Sequence, residues 1–470
     1  VYTEDFTVPS GQPTPASYGR DWYGHGQHIA GIIASNGRSS ICATCTEAFV
    51  GVAPGANLIN LKALDEDGDG SDSQVIAAID RAISLKNTYN VRVINLSLGR
   101  PVFESYKQDP LCRAVEAAWK AGIVVVAAAG NDGRDNSFGN DGYGTITAPG
   151  NDPYVITVGA MKAEDTFTRT DDLIASYSSK GPTSVDHIVK PDIVAPGNRI
   201  VSLLAPASTL ALTNPQNAVP LATYMSNAPA PGPEPAQPPV PSDPTVQRPP
   251  ANFGPTMSNA YFMLNGTSMA AAVVSGAVAD ILQANPSLTP DRVKLLLMQT
   301  AYKTFPTSST VTDPATGKVY VDYYDIFTVG AGYLDLQAAL KLVNQVPSSG
   351  TALSPVAVHD PSTGNVNLVW DSSSIWSTQA IWSTQAIWST SSVWSTSELS
   401  GNQAIWSTQA IWSTSTPASS SSIWGAQAIW STQAIWSTQG IWTDQGIWTD
   451  QGIWTDQAIW STSVLTEGEK

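Results

Sequence analysis

Histidine, cysteine and positive charge are all scarce in this chain. Of 470 residues, four are histidine and three are cysteine, and 23 Lys and Arg stand against 39 Asp and Glu, a formal net charge of −16. A protein without a basic face is not expected to bind nucleic acid or an anionic membrane. Long hydrophobic runs are missing too. The longest, Ala121 to Ala129, ends in Gly130-Asn131 and is far short of the roughly 20 residues a membrane helix needs, so no membrane span is expected. Cys42-Ala-Thr-Cys45 has no second pair to make a metal site, which leaves a small loop disulfide or two plain thiols. Val1-Tyr2-Thr3-Glu4-Asp5 has neither the basic nor the apolar stretch of a signal peptide.

A hydrophobic content of 42% is ordinary for a globular protein, and the length leaves room for one large domain and an extension. Composition divides the chain into a domain over 1–345, a linker over 346–370 and a repeat region over 371–470. Within the domain, strand-like and helix-like stretches alternate. Apolar strand patterns lie in Val50 to Leu64, Val91 to Gly99 and Ile123 to Ala129, and the stretch from Asp109 to Ala121 reads as a helix. Val75, Ile76, Ile79 and Ile83 share one face of another helix, which Asp72 or Ser73 can open. This is the pattern of a parallel sheet wrapped by helices, an α/β fold whose chemistry gathers at the carboxyl ends of the strands. Leu98-Gly99 and Gly130-Asn131 lie at two such ends. Asp65 to Gly70 has the Asp spacing of a calcium loop, but Ile76 stands where the bidentate Glu belongs, so it reads as a solvated acidic loop. A proline-rich stretch, Pro229 to Pro255, reads as an exposed loop within an insertion over 204–258.

Two helix entrances carry reactive side chains. The stretch from Met269 to Leu282 has one charge, Asp280, and is apolar on nearly every face, so its helix must be buried with Ser268 at the mouth. A serine or threonine there, Ser268 or Thr267, can also be a plain helix cap. His25 and His28 open a second helix of small and β-branched residues; with Gln27 between them and a spacing of three, they do not form a zinc helix, though they could be purely structural. A serine needs a neighbouring base, imidazole titrates near neutrality, and an oxyanion wants fixed donors such as an Asn amide.

The blocks Gly24-His25-Gly26-Gln27-His28-Ile29-Ala30-Gly31, Ala127-Ala128-Ala129-Gly130-Asn131 and Asn265-Gly266-Thr267-Ser268-Met269-Ala270, with Ser97-Leu98-Gly99 and Lys190-Pro191-Asp192 in order between them, resemble the subtilisin-like serine proteases (subtilases, peptidase family S8). The resemblance implies a three-layer α/β domain with a parallel sheet and a secreted or cell-surface endopeptidase acting on proteins or peptides through an acyl-enzyme. It makes Ser268 the nucleophile, His25 the general base, Asn131 the oxyanion-hole side chain and His28 structural. Ser97, Leu98, Gly99, Ala128, Ala129 and Gly130 would line the substrate cleft, with the residue closing the specificity pocket somewhere in Tyr143 to Ala148. No cofactor is required; structural calcium is common in the family, but no ligand set stands out here.

The sequence departs from the family at Gln27, at Ala272, where proline is usual, and in its catalytic aspartate. In subtilases that aspartate precedes the histidine on a strand of its own. Val1 to Phe6 resembles the segment after that strand, and Asp21 the acidic residue just before the histidine, so the expectation is that the aspartate strand and any propeptide or signal peptide lie upstream of Val1. The chain by itself is then expected to be inactive or insoluble, and a catalytically dead binding or adhesion protein is the alternative.

From Asp371 the text becomes a hexad, Ile375-Trp376-Ser-Thr-Gln-Ala repeated to Ile459-Trp460, interrupted at Ser397–Gly401 and Ser413–Ser422. Six residues turn a helix by about 600°, so the tryptophans would smear around it. A low-complexity tail or a stack of strands with Trp on one face remain, and exposed indoles could contact cell envelope or carbohydrate.

Overall fold

The computed structural model describes residues 2–8, 19–137, 139–164, 166, 168–229, 250–313, 316–346, 350–360, 365–369 and 469. The hexad repeat and the proline-rich 230–249 lie outside these residues.

The strands are β1 (Tyr2–Asp5), β2 (Ile59–Lys62), β3 (Val93–Leu96), β4 (Val124–Ala128), β5 (Ile156–Lys162), β6 (Leu173–Ile174), β7 (Ile193–Pro196), β8 (Ile200–Leu203), β9 (Ala218–Pro220), β10 (Met257–Leu264), β11 (Ser308–Thr312), β12 (Val319–Tyr323), β13 (Val356–Asp360) and β14 (Asn365–Val369). The helices are α1 (His25–Ala34), α2 (Asp72–Tyr89), α3 (Pro110–Lys120), α4 (Thr209–Thr213), α5 (Thr267–Ala284), α6 (Pro290–Thr300) and α7 (Leu336–Leu342). β3, β4, β5 and β7 form a parallel sheet, with the short β6 antiparallel against β5. This is the α/β arrangement that the alternating pattern predicts.

Every residue of β4 and β5 is buried, as befits the middle of a parallel sheet covered on both faces. β3 differs: Val93, Ile94 and Asn95 are only half-buried, and its one strand partner among the described residues is β4. β2 is likewise half-open, pairing parallel with β1, its one strand partner among the described residues (Tyr2 with Ile59 through Asp5 with Lys62). Helix α2 connects β2 to β3, and Leu61, Val93 and Ile94 pack on one and the same core. Asp5 ends β1, accepting from Thr7 Oγ1 (2.6 Å) and Gly19 N (3.1 Å) with Lys62 Nζ at 3.5 Å.

Helix α5 is the centre of the molecule. It is buried from Thr267 to Ala272 and again along Val274 to Val278, and packs against α1, β3, β4, β5 and β7. At 18 residues it is long and apolar enough to cross a membrane, but 72% of it is buried inside the protein, the other place such a helix occurs. It approaches its neighbours closely: a Cβ on Gly276 would lie 2.6 Å from Val52 Cβ.

Several helix starts follow sequence chemistry. Asp109 Oδ1 accepts from Leu111 N (2.9 Å) ahead of Pro110 at the first turn of α3. α2 is opened by Ser71, one residue before the expected Asp72 or Ser73, because Ser71 and Gln74 make a reciprocal capping box. Cys42 and Cys45 are joined in a disulfide, and Cys112 is a buried thiol. The residues set off as an insertion, 204–258, include α4 and β9 and bury Leu210, Ala211, Val219, Tyr224 and Phe253; β9 pairs with β10 in the antiparallel sheet β8-β10-β9, which leads the chain into α5.

Candidate active site

Gly266 turns the chain from β10 into α5 with φ of 142°, a conformation that a side chain would strain, and a Cβ there would sit 3.1 Å from Asn131 Nδ2. Ser268 is the second residue of the helix and does not cap it. The capping function falls to Asn131, whose Oδ1 accepts from Thr267 N (2.9 Å) and Thr267 Oγ1 (3.1 Å) across 136 positions of sequence. Thr267 Oγ1 also lies 3.2 Å from both the N and the O of Gly130. Ser268 is buried, its Oγ donating to Ser97 O (3.4 Å), while Ser97 Oγ donates to Ser268 O (2.7 Å). The ends of β3 and β4 are thus fastened to the mouth of α5, and Ser268, Ser97, Gly130 and Asn131 meet there.

His25 begins α1, which packs against α5. Asp21 shapes this start: its carboxylate accepts from Gly24 N (2.7 Å) and Gln27 N (2.6 Å). The imidazole of His25 is buried, its Nε2 has no hydrogen-bond partner among the described residues, and burial together with His28 pushes its pKa down to about 3. No described carboxylate holds it in the charged form. Ser268 Oγ donates to Ser97 O and His25 Nε2 has no partner, so α1 packs against α5 without a serine–histidine hydrogen bond among the described residues. His28 has a different environment. Its Nε2 lies 3.1 Å from both Ile200 O and Phe262 O, tying α1 to β8 and β10, and burial lowers its pKa to about 4.

Of the remaining predicted cleft residues, Gly99, Ala129 and Gly130 lie against Thr147, a member of the window from Tyr143 to Ala148. Thr147 N donates to Ala129 O (3.0 Å). A Cβ on Gly99 would meet Thr147 Oγ1 at 2.5 Å, and one on Gly130 would meet Thr147 Cγ2 at 2.9 Å. Thr147 therefore fills the space between the two glycine segments, leaving no room there for side chains. Ala128 ends β4, Ala129 N donates to Val158 O (3.0 Å), and Leu98 packs on the core beside β3. Just past Gly99, Arg100 and Ala148 exchange backbone hydrogen bonds of 3.0 and 2.9 Å.

Two buried charge clusters support the site. Arg100 is buried between Asp72 (3.0 Å) and Asp109 (2.7 Å), the acidic first turn of α2 and the cap of α3, and so fixes the chain directly after Gly99. Asp192 is buried between Lys190 (2.8 Å) and Lys294 (3.1 Å), and accepts further from Thr157 N (2.8 Å) and Ser354 Oγ (2.5 Å). A signal for the first existed in the lone arginine beside the glycine; in the second, Lys190 and Asp192 are two positions apart, whereas Ser354 joins from 162 positions away. Among the described residues, no three His, Cys, Asp or Glu side chains group as metal ligands.

The family model of the subtilases matches residues 2–320, and the chain belongs to that family, which comprises serine peptidases. Serine protease AprX of Bacillus subtilis (strain 168) is 37% identical over 279 residues, 58% of this chain and 52% of that protein. Subtilisin DY of Bacillus licheniformis is 31% identical over 61% of this chain and 73% of its own length. Among solved structures, Sphericase aligns over 70% of this chain and 83% of its own at 25% identity, with a TM-score of 0.45. The chain spans about half the length of AprX.

Proposed function

We propose that the chain is the catalytic part of a serine endopeptidase that cleaves peptide bonds through an acyl-enzyme, with Ser268 as nucleophile, His25 as general base and the Asn131 amide with the backbone N–H of Ser268 as oxyanion stabilisers. The observation that carries this reading is the convergence of Ser268, Asn131, Gly130 and Ser97 at the mouth of a buried helix, with a buried, unpartnered imidazole on the helix packed beside it. In such a site the imidazole takes the hydroxyl proton as Ser268 Oγ attacks the carbonyl carbon, and returns it to the leaving amine. In this reading Ser97 to Gly99 and Ala128 to Gly130 line the substrate cleft, with Thr147 closing the pocket between them. Kinship with the subtilases and the Cys42–Cys45 disulfide favour a secreted or cell-surface location, and protein or peptide substrates.

The imidazole still needs a carboxylate to orient it. The half-open β3, beside a fully buried β4, and the half-open β2 leave a strand position between them in this reading. A strand added there would complete the sheet and bring an aspartate to His25. In a subtilisin, removal of the aspartate alone lowers kcat by about 3 × 10⁴, so the described residues by themselves would retain slow chemistry. The test is labelling of the full chain by a fluorophosphonate. Adduct formation at Ser268, lost in Ser268→Ala and slowed in His25→Ala, is expected; a folded chain whose Ser268 stays unlabelled would leave only the catalytically dead binding protein.

A further inference from the structure

Beside the candidate active site, the penultimate residue of the chain is held like a bound ligand. Glu469 is 6% exposed, and both its side chain and its main chain are gripped. Its Oε1 accepts from Arg134 Nη2 (2.6 Å), from Ser176 N (2.9 Å) and from Ser176 Oγ, while Oε2 has no hydrogen-bond partner among the described residues. Its peptide group is read by one side-chain amide: Glu469 N donates to Asn198 Oδ1 (3.0 Å) and Asn198 Nδ2 donates to Glu469 O (2.9 Å). An amide used in this two-bond fork imitates a neighbouring strand, a form of recognition that is blind to sequence. The arginine supplies the selectivity for a carboxylate.

The arginine is also held by groups other than Glu469. Arg134 Nε donates to Ser176 Oγ (2.7 Å), Nη1 lies 3.5 Å from Asp313, and the guanidinium stacks 4.9 Å from the ring of Tyr320. Fixing the fork in this way lowers the ordering cost of binding. A half-buried guanidinium, the buried amide of Asn198 and the backbone N–H of Ser176 converge on one residue. Glu469 reaches it across 335 positions from Arg134.

Both walls of the site continue into the candidate catalytic loops. Arg134 stands three residues beyond Asn131, and Asp132 and Gly133 between them are fixed to Ser179 Oγ (3.1 Å) and Tyr177 O (2.9 Å). Asn198 stands between Gly197, whose carbonyl accepts from Gly266 N (2.9 Å), and Arg199, whose N donates to Asn265 Oδ1 (2.6 Å). Tyr177 OH closes the circuit on Gly197 O (3.1 Å).

We infer that Arg134, Ser176 and Asn198 form a binding site for an acidic residue of an extended peptide, that Glu469 occupies it as a carboxy-terminal latch, and that this latch braces the loops carrying Asn131 and Gly266. It stands independently of the peptidase reading, because binding and not turnover reports on it.

The experiment uses the full chain and a labelled peptide of residues 461–470, Ser-Thr-Ser-Val-Leu-Thr-Glu-Gly-Glu-Lys. Glu469→Lys vacates the site, so this variant is expected to bind the peptide at least tenfold more tightly than the wild type, whose own Glu469 competes. A peptide with Gln in place of the second Glu is expected to bind at least tenfold more weakly, since a charge-assisted bond is lost. Equal binding by the wild type and Glu469→Lys, equal binding of the Glu and Gln peptides, or no binding to either chain overturns the inference. Hydrogen exchange supplies a second measurement that needs no added peptide. The Ser176 amide is expected to exchange at least tenfold faster in Glu469→Ala than in the wild type while amides of β5 keep their rates, and an unchanged Ser176 rate also overturns the latch.

Discussion

His28 sets a measurable acid sensitivity. Its imidazole is fully buried, with Nε2 shared between Ile200 O and Phe262 O at 3.1 Å each, and its pKa is pushed by burial to about 4 from an ordinary 6.5. Between these values the unfolded chain binds the proton and the folded chain does not, so stability rises with pH across this window and is lost as pH falls from 6.5 toward 4. At pH 5, some 1.5 units below the unfolded value, the loss relative to pH 7.5 is about 2 kcal/mol at 1.36 kcal/mol per unit. That is a large part of a typical 5–15 kcal/mol. His25 acts in the same direction, whereas buried Asp152, raised to about 8, acts in the opposite one, so the total pH profile mixes several groups. His28→Gln isolates one of them, because glutamine keeps an N–H donor and does not titrate. Urea unfolding of both proteins at pH 7.5, 6.5, 5.5 and 5.0 should show the wild type losing about 2 kcal/mol relative to the variant over that span, a figure that follows from the two pKa values. Parallel stability curves, differing by less than about 0.5 kcal/mol in their pH trend, would show that His28 is not held neutral by burial.

Other substitutions probe the site and its frame. Asn131→Ala is expected to lower kcat about 10²- to 10³-fold with little change in KM, as loss of an oxyanion donor does, and steady-state kinetics on a peptide anilide would read this; an equal rise in KM at constant kcat would contradict the role. Thr147→Gly opens the space beside Gly99 and Gly130, so the kcat/KM ratio for a phenylalanine over an alanine P1 residue should rise about 10-fold or more, and an unchanged ratio would remove Thr147 from the pocket. Asp192→Asn leaves Lys190 and Lys294 buried without their carboxylate and should cost about 3–5 kcal/mol in urea unfolding; a loss below about 1 kcal/mol would show that the lysines are solvated or neutral.

Much of the site was legible as text because its chemistry is local. An unbroken apolar stretch after Ser268 has to be a buried helix, and α5 is that helix. The alternation of strand and helix patterns gave a parallel sheet, and its carboxyl ends put Leu98-Gly99 and Gly130-Asn131 beside each other, as the structure does through Thr147. The two histidines differ in the structure: His28 is bonded into the frame, whereas His25 Nε2 has no hydrogen-bond partner among the described residues. The reading of Ser268 or Thr267 as a helix cap failed, since the cap comes from Asn131 in a distant loop. The rule for local caps has no means of seeing such a donor or acceptor.

Sequence by itself therefore determined most element types and the buried helix, because backbone propensity and hydrophobic period act over a few residues. Tertiary structure alone decided which partner each of these groups meets: Asn131 on Thr267, Thr147 between two glycines, Arg100 across two helix starts, Asp192 between two lysines, and Glu469 on Arg134. Each of those is selected by the need to satisfy a charge or polar group once it has left water, and the candidate partners span the whole chain.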